Sequence, residues 1–187
     1  MTTQIVIKII LAVTGLIVIW LIWTFNRLVI RRNRTEEAWA DVEVQIRRRY
    51  NLIPNLVETV KSYAKHESMV LTKVTEARTQ AMGAKTLAEH GVAETALSSA
   101  LQGLFVAVEN YPDLKASQNF LQLQNELVDA EDKIQAARRF YNSNIMEYNN
   151  LIQTFPSKLI AKSFSFEKSK FFEIENKEER QVPKVSF

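Results

Sequence analysis

The chain has 187 residues, with 24 Lys and Arg against 21 Asp and Glu, two histidines and no cysteine. Without thiols there is no disulfide, no thiolate-held zinc and no cysteine nucleophile, and His66 and His90 alone cannot assemble a dense metal cluster. The net charge of +3 raises a nucleic-acid reading, which stands or falls on where that charge sits.

From Ile9 to Phe25 the stretch IILAVTGLIVIWLIWTF carries no charge, and extension back through Lys8 to Ile5 gives about the 20 apolar residues that a helix needs to cross a bilayer. A transmembrane anchor over residues 1–30 is expected. Lys8 lies one turn inside its start, where a long stem can carry the ammonium to the headgroups. Trp20, Trp23 and Phe25 lie near the other end, where amphipathic rings favour the interface. A cleaved signal peptide is the alternative, but the apolar stretch exceeds a typical h-region and no small-x-small site follows it.

Arg27, Arg31, Arg32 and Arg34 follow the span, so the positive-inside bias puts the short N-terminus outside and residues 31 onward in the cytoplasm. Residues 1–34 hold five of the Lys and Arg and no acid, which leaves 19 basic against 21 acidic groups beyond them, a net of −2. The basic excess is therefore a juxtamembrane collar, suited to anionic lipid headgroups at about 1 kcal/mol per residue. Outside it only Arg47, Arg48 and Arg49 form a basic run, so the bilayer is an expected partner and nucleic acid is not.

Beyond the anchor, helix breakers are sparse, and three stretches place residues at alternating steps of three and four. The first runs from Trp39 through Val42, Ile46, Tyr50, Ile53, Val57, Val60 and Ala64 to Ala81, the second from Leu97 to Val108, the third from Phe120 through Leu127, Ile134, Tyr141, Asn144 and Tyr148 to Phe155. Three amphipathic helices that must bury a face against one another predict an all-α chain: an N-terminal transmembrane helix, then an elongated up-and-down helical bundle of coiled-coil character over residues 31–162. The third helix alone would be roughly 60 Å long. Gly83 to Gly91 should hold the first turn, with His90 in that loop region and Leu87 as an alternative start of the second helix, and Tyr111-Pro112-Asp113 the second turn. Proline suits a first helical turn and Asp113 its positive end. Pro156 should end the third helix, with a short fourth from Ser157 to Lys162.

Pro54 falls inside the first seam. Either the helix kinks there, or it restarts with Asn51 as N-cap and Pro54 in the first turn; the unbroken phase of the seam favours the kink, and Asn51 to Leu56 is a joint in both cases. Tyr50, Asn51 and Asn55 at this joint, with Arg138, Arg139, Tyr141, Asn142, Asn144, Tyr148 and Asn149 on the third helix, form a polar and aromatic set. If the helices run antiparallel, these groups can meet in a buried layer that fixes register, or line a groove for a partner peptide. The tail, residues 163–187, holds five of the ten phenylalanines: Phe164, Phe166, Phe171, Phe172 and Phe187. It should fold back on the bundle, or offer Phe171, Phe172 and Phe187 to another subunit or protein.

Catalysis finds little support. His66-Glu67 opens like a zincin motif, but Val70 stands where the second histidine belongs, and no phosphate loop, dinucleotide fingerprint or nucleophile elbow occurs. No cofactor or metal is expected, and the carboxylates Glu126, Asp129, Glu131 and Asp132 read as a solvated, ion-paired face.

RRRYNLIPNLVETVKSYAKHE (47–67), YPDLKASQNFLQLQNEL (111–127), ARRFYNSNIMEYNNLIQTFPS (137–157) and the terminal FFE and PKVSF segments resemble the LemA family over nearly the whole chain. The resemblance implies a bacterial membrane protein with one N-terminal span and a bundle of bromodomain-like topology, and supplies no catalytic residues to transfer. The expected function is that of a single-pass scaffold or adaptor in the bacterial inner membrane, without catalysis, acting through protein contacts and self-assembly into a homo-oligomer. Its protein partner is unidentified. The alternative is an accessory subunit of membrane-protein quality control beside a membrane metalloprotease, since relatives of this family are often encoded next to such enzymes.

Overall fold

A computed structural model of the chain describes residues 2–64 and 67–172. Six helices follow in order: α1 (Thr2–Tyr63), α2 (Ser68–Gly83), α3 (Leu87–Val108), α4 (Pro112–Lys115), α5 (Gln118–Gln153) and α6 (Ser157–Ser163), and the described residues contain no strand. The fold is all-helical, a long N-terminal helix with an apolar span leading into a helical bundle. The described residues fall into two compact units, one of residues up to Asp41 with Arg139–Phe171, the other of Val42–Arg138 with Phe172.

In the second unit, four helical segments each bury one stripe. Val42, Ile46, Tyr50, Ile53, Leu56 and Val60 of α1, Leu71, Val74, Ala77 and Ala81 of α2, Leu97, Leu101, Leu104 and Val108 of α3, and Phe120, Leu127, Ala130 and Ile134 of α5 form the core. These are the positions the three-four rhythm selects, except that Leu56 and Ala77 are buried where the seam named Val57 and Arg78, both half-buried. The Phe105 and Phe120 rings meet edge to face, with centroids 6.3 Å apart. Short connections between successive helices make neighbours antiparallel.

Three boundaries depart from the sequence reading. The first seam is not one helix but two, α1 and α2, because the chain turns at Ala64–Glu67, closed by the Glu67 amide donating to the Ala64 carbonyl at 3.1 Å. Both helices need an apolar face, so the rhythm continues across the turn and conceals it. Pro54, by contrast, lies inside α1, which runs on without restarting as the unbroken phase of the seam favoured, so Asn51 is not an N-cap. His90 and Gly91 belong to α3, whose first turn closes a capping box: the Thr86 hydroxyl accepts from the Glu89 amide at 3.2 Å, and the Glu89 carboxylate accepts from the Thr86 amide at 3.3 Å. Pro112 takes the first position of the one-turn helix α4, Asp113 follows, and the long helix begins afresh at Gln118.

In the first unit, α1 and α5 run antiparallel. Trp39 meets Tyr141 at 5.5 Å between rings, and earlier on α1 Arg31 pairs with Glu147, further along α5. Leu28, Tyr148, Ile152, Ile160 and Ala161 then form a small core, against which Trp20, Phe25, Leu151 and Phe166 pack. The chain arrives there by turning after Gln153 into α6, and Ser157 ties that turn, its hydroxyl donating to the Leu151 carbonyl at 2.6 Å.

Candidate functional site

The N-terminal part of α1 is left uncovered by the other described residues. Ile5, Val6, Ile7, Ile9, Ile10, Leu11, Val13 and the large apolar residues from Leu16 to Ile19 are all exposed, and no residue of its most apolar 18-residue window is buried. This length and composition make α1 a candidate membrane span. Leu87–Val108 in α3 passes the same length and apolarity test, but it buries Leu97, Leu101, Leu104 and Val108 in the bundle and is a core helix.

At the end of the apolar stretch the side chains expected at a membrane interface form contacts of their own. Trp23 is exposed, with the Arg27 guanidinium 5.3 Å from its ring centroid; Trp20 is half-buried. Arg31 pairs with Glu147, and Arg32 lies 5.9 Å over the Phe166 ring and 3.8 Å from Glu36. Arg34 is exposed, as is Lys8 at the other end. Two of the four collar arginines therefore already have carboxylate partners, which trims the charge available to headgroups.

The expected polar layer divides. Asn51, Pro54 and Asn55 are exposed, so they do not contribute to a buried layer: at these positions α1 turns its polar side to solvent between Tyr50, Ile53 and Leu56. Tyr141, Asn144 and Tyr148 are buried on α5, and they and their neighbour Asn149 mostly serve the chain's own backbone. Asn144 donates to the Phe140 carbonyl at 2.9 Å, and Tyr141 donates to the Lys170 carbonyl at 3.1 Å. Asn149 clamps Ser169 from both sides, donating to its carbonyl at 2.9 Å and accepting from its amide at 3.0 Å. Burial pushes the Tyr141 and Tyr148 phenols up from their ordinary range.

These contacts hold the start of the tail in place. Phe166 packs on the small core and Phe164 lies on Phe25 with centroids 4.8 Å apart. Phe172 is buried, with the Arg138 guanidinium 4.6 Å from its ring centroid, whereas Phe171 is exposed. Phe187 and His66 lie outside the described residues.

A buried charged cluster in the second unit was not anticipated. Arg49, almost fully buried, forms ion pairs with Glu94 on α3 and Glu131 on α5, and its guanidinium donates to the Ser98 hydroxyl at 3.3 Å. The Tyr50 hydroxyl donates to Glu94, and Arg78 from α2 donates to the Tyr50 carbonyl at 2.8 Å, so all four long helices meet here. Burial pushes the Tyr50 phenol up to about 12, against a smaller opposing pull from the Arg49 charge. A cavity of about 270 Å³ opens beside the cluster, lined by Arg49, Glu94, Ser98, Glu131, Arg138 and Phe172 among others. Two arginines facing two glutamates leave it close to neutral, the pattern of an internal lock. No group of three or more His, Asp or Glu side chains able to hold a metal occurs among the described residues.

The geometry defines an all-helical protein with a candidate membrane span, an aromatic and arginine collar at its end, and a bundle whose interior charges are paired within the chain. Residues 38–187 match the LemA family, and the chain belongs to that family. Among curated relatives, Magnetosome protein MamQ 2 of Paramagnetospirillum magneticum is 25% identical over 179 residues, covering 82% of this chain and 66% of that protein. Protein LemA of Metamycoplasma hominis is 28% identical over 137 residues, covering 73% of this chain and 63% of its own length. Neither name is that of an enzyme, and the chain spans just under two thirds of the length of these relatives.

Proposed function

We propose that this chain is a single-pass, membrane-anchored helical scaffold of the bacterial inner membrane, which acts through protein contacts and self-assembly and not through catalysis. The observation that carries this reading is the contrast within one chain: the apolar residues of α1 from Ile5 to Ile19 are bare, while α2, α3 and α5 each bury an apolar stripe. Bare apolar helix of that length is stable only in lipid. The arginines after the span favour a cytoplasmic bundle and an N-terminus outside.

Exposed apolar side chains on the bundle, among them Val44, Val92, Val106, Leu121 and Val128, supply contact points. Confinement to a membrane raises the effective concentration of chains, so weak contacts suffice for assembly. Photo-crosslinking in cells from Val128 and Val106 tests this: discrete crosslinks between copies of the chain support the scaffold. Capture of a membrane metalloprotease or of assorted unfolded clients, with no self-crosslink, favours the quality-control accessory instead and overturns self-assembly.

A further inference from the structure

The first unit leaves an apolar patch uncovered at one particular place. Phe155 is 81% exposed, Leu159 60% and Phe164 61%, although Ile160 and Ala161 beside them are buried. Phe155 lies in the turn between α5 and α6, and Leu159 follows it within α6. Lys158 and Lys162 are interspersed with them and exposed.

The position of this patch along α1 identifies what covers it. Phe164 lies on Phe25, and Ile160 and Ala161 share a core with Leu28 against which Trp20 packs. Trp20 to Phe25 spans about 8 Å of helix at the end of the apolar window, beside Trp23, itself 57% exposed. That is the depth of the interfacial layer, several Å thick on each side of the hydrocarbon core. Aromatic and leucine side chains on one edge with lysines between them are what such a layer accepts: the rings enter the acyl boundary and the ammonium groups reach anionic headgroups.

We infer that the α5–α6 corner, through Phe155, Leu159 and Phe164, inserts into the interface of the same leaflet that the α1 collar touches, giving the chain a second, monotopic membrane contact. Two contacts on one leaflet fix the first unit against the membrane surface, where a single span would leave it free to swivel. The inference rests on α1 crossing the bilayer, and the experiment separates the two claims.

The sequence has no cysteine, so single substitutions can be labelled directly. Full-length Phe155→Cys and Leu159→Cys variants carrying an environment-sensitive fluorophore are reconstituted in phosphatidylcholine–phosphatidylglycerol vesicles containing a spin-labelled lipid, with Leu16→Cys in the span and Met82→Cys on the bundle as references. Labels at 155 and 159 should be quenched several-fold more than the label at 82, and less than the one at 16 when the spin label sits deep in the chain region. Quenching at 155 and 159 no greater than at 82, with 16 strongly quenched, overturns the second contact and leaves the span standing. A blue-shifted but unquenched label at 155 or 159 overturns it in favour of a protein neighbour. No quenching at 16 removes the span, and the second contact with it.

Discussion

Arg49 shows how one buried charge ties the bundle together. Its guanidinium pairs with Glu94 and Glu131 while Tyr50 donates to Glu94, so removing the arginine leaves a carboxylate with no countercharge inside the protein. Arg49→Met should destabilise the chain by about 3–5 kcal/mol, and Arg49→Met combined with Glu94→Leu should recover most of that loss. Urea unfolding of the detergent-solubilised chain, followed by circular dichroism, reads both. The phenol above this cluster sets an alkaline limit. Its folded pKa, about 12, exceeds the unfolded value of 10.0, so its contribution is intact below pH 10 and is lost as pH rises from 10 toward 12. The unfolding midpoint should fall through that window. Tyr50→Phe should flatten the fall in part, since Tyr141 and Tyr148 are raised in the same direction. Little of this was legible in the sequence. Three successive arginines point about 100° apart on a helix, and only the third turns inward, Arg47 and Arg48 remaining exposed. The signal available was Glu94, a carboxylate in step with Leu97, Leu101, Leu104 and Val108 on an otherwise apolar seam.

Among the elements, periodicity located the buried faces better than the ends. The stripes of α1, α2, α3 and α5 follow from the steps of three and four, but the turn at Ala64–Glu67 contains no glycine or proline and leaves the rhythm undisturbed. The start of α3 was legible in Thr86 and Glu89, a threonine with glutamate three residues on, although the nearby Gly91 suggests a loop. Thr86→Ala should cost about 1 kcal/mol of unfolding free energy, measured in the same urea titration. Phe155 kept the phase of the α5 seam yet lies exposed past its end, because the chain turns into α6 before a further turn of helix forms. The segment after α6 is held by polar contacts that spacing does not reveal. Asn149→Ala removes both hydrogen bonds to Ser169 and should make the bonds after Lys168 and Lys170 several-fold more sensitive to trypsin, with the far-ultraviolet spectrum unchanged.

At the scale of the molecule, the charge of +3 describes a basic collar and a slightly acidic remainder. The collar follows an apolar helix that no other described residue covers, and the bundle pairs interior charges within itself. Such a division of labour is what the proposed membrane-anchored scaffold requires, and in that proposed reading the arginines, by the positive-inside bias, favour a cytoplasmic bundle. The most direct test is the sidedness of that bundle. Thr3→Cys and Met82→Cys variants are exposed to a membrane-impermeant thiol reagent in spheroplasts and again after lysis. Labelling of position 3 in intact spheroplasts, with position 82 labelled only after lysis, is the expected result. Labelling of position 82 before lysis, or release of the chain into the soluble fraction, would contradict a cytoplasmic scaffold held by one span.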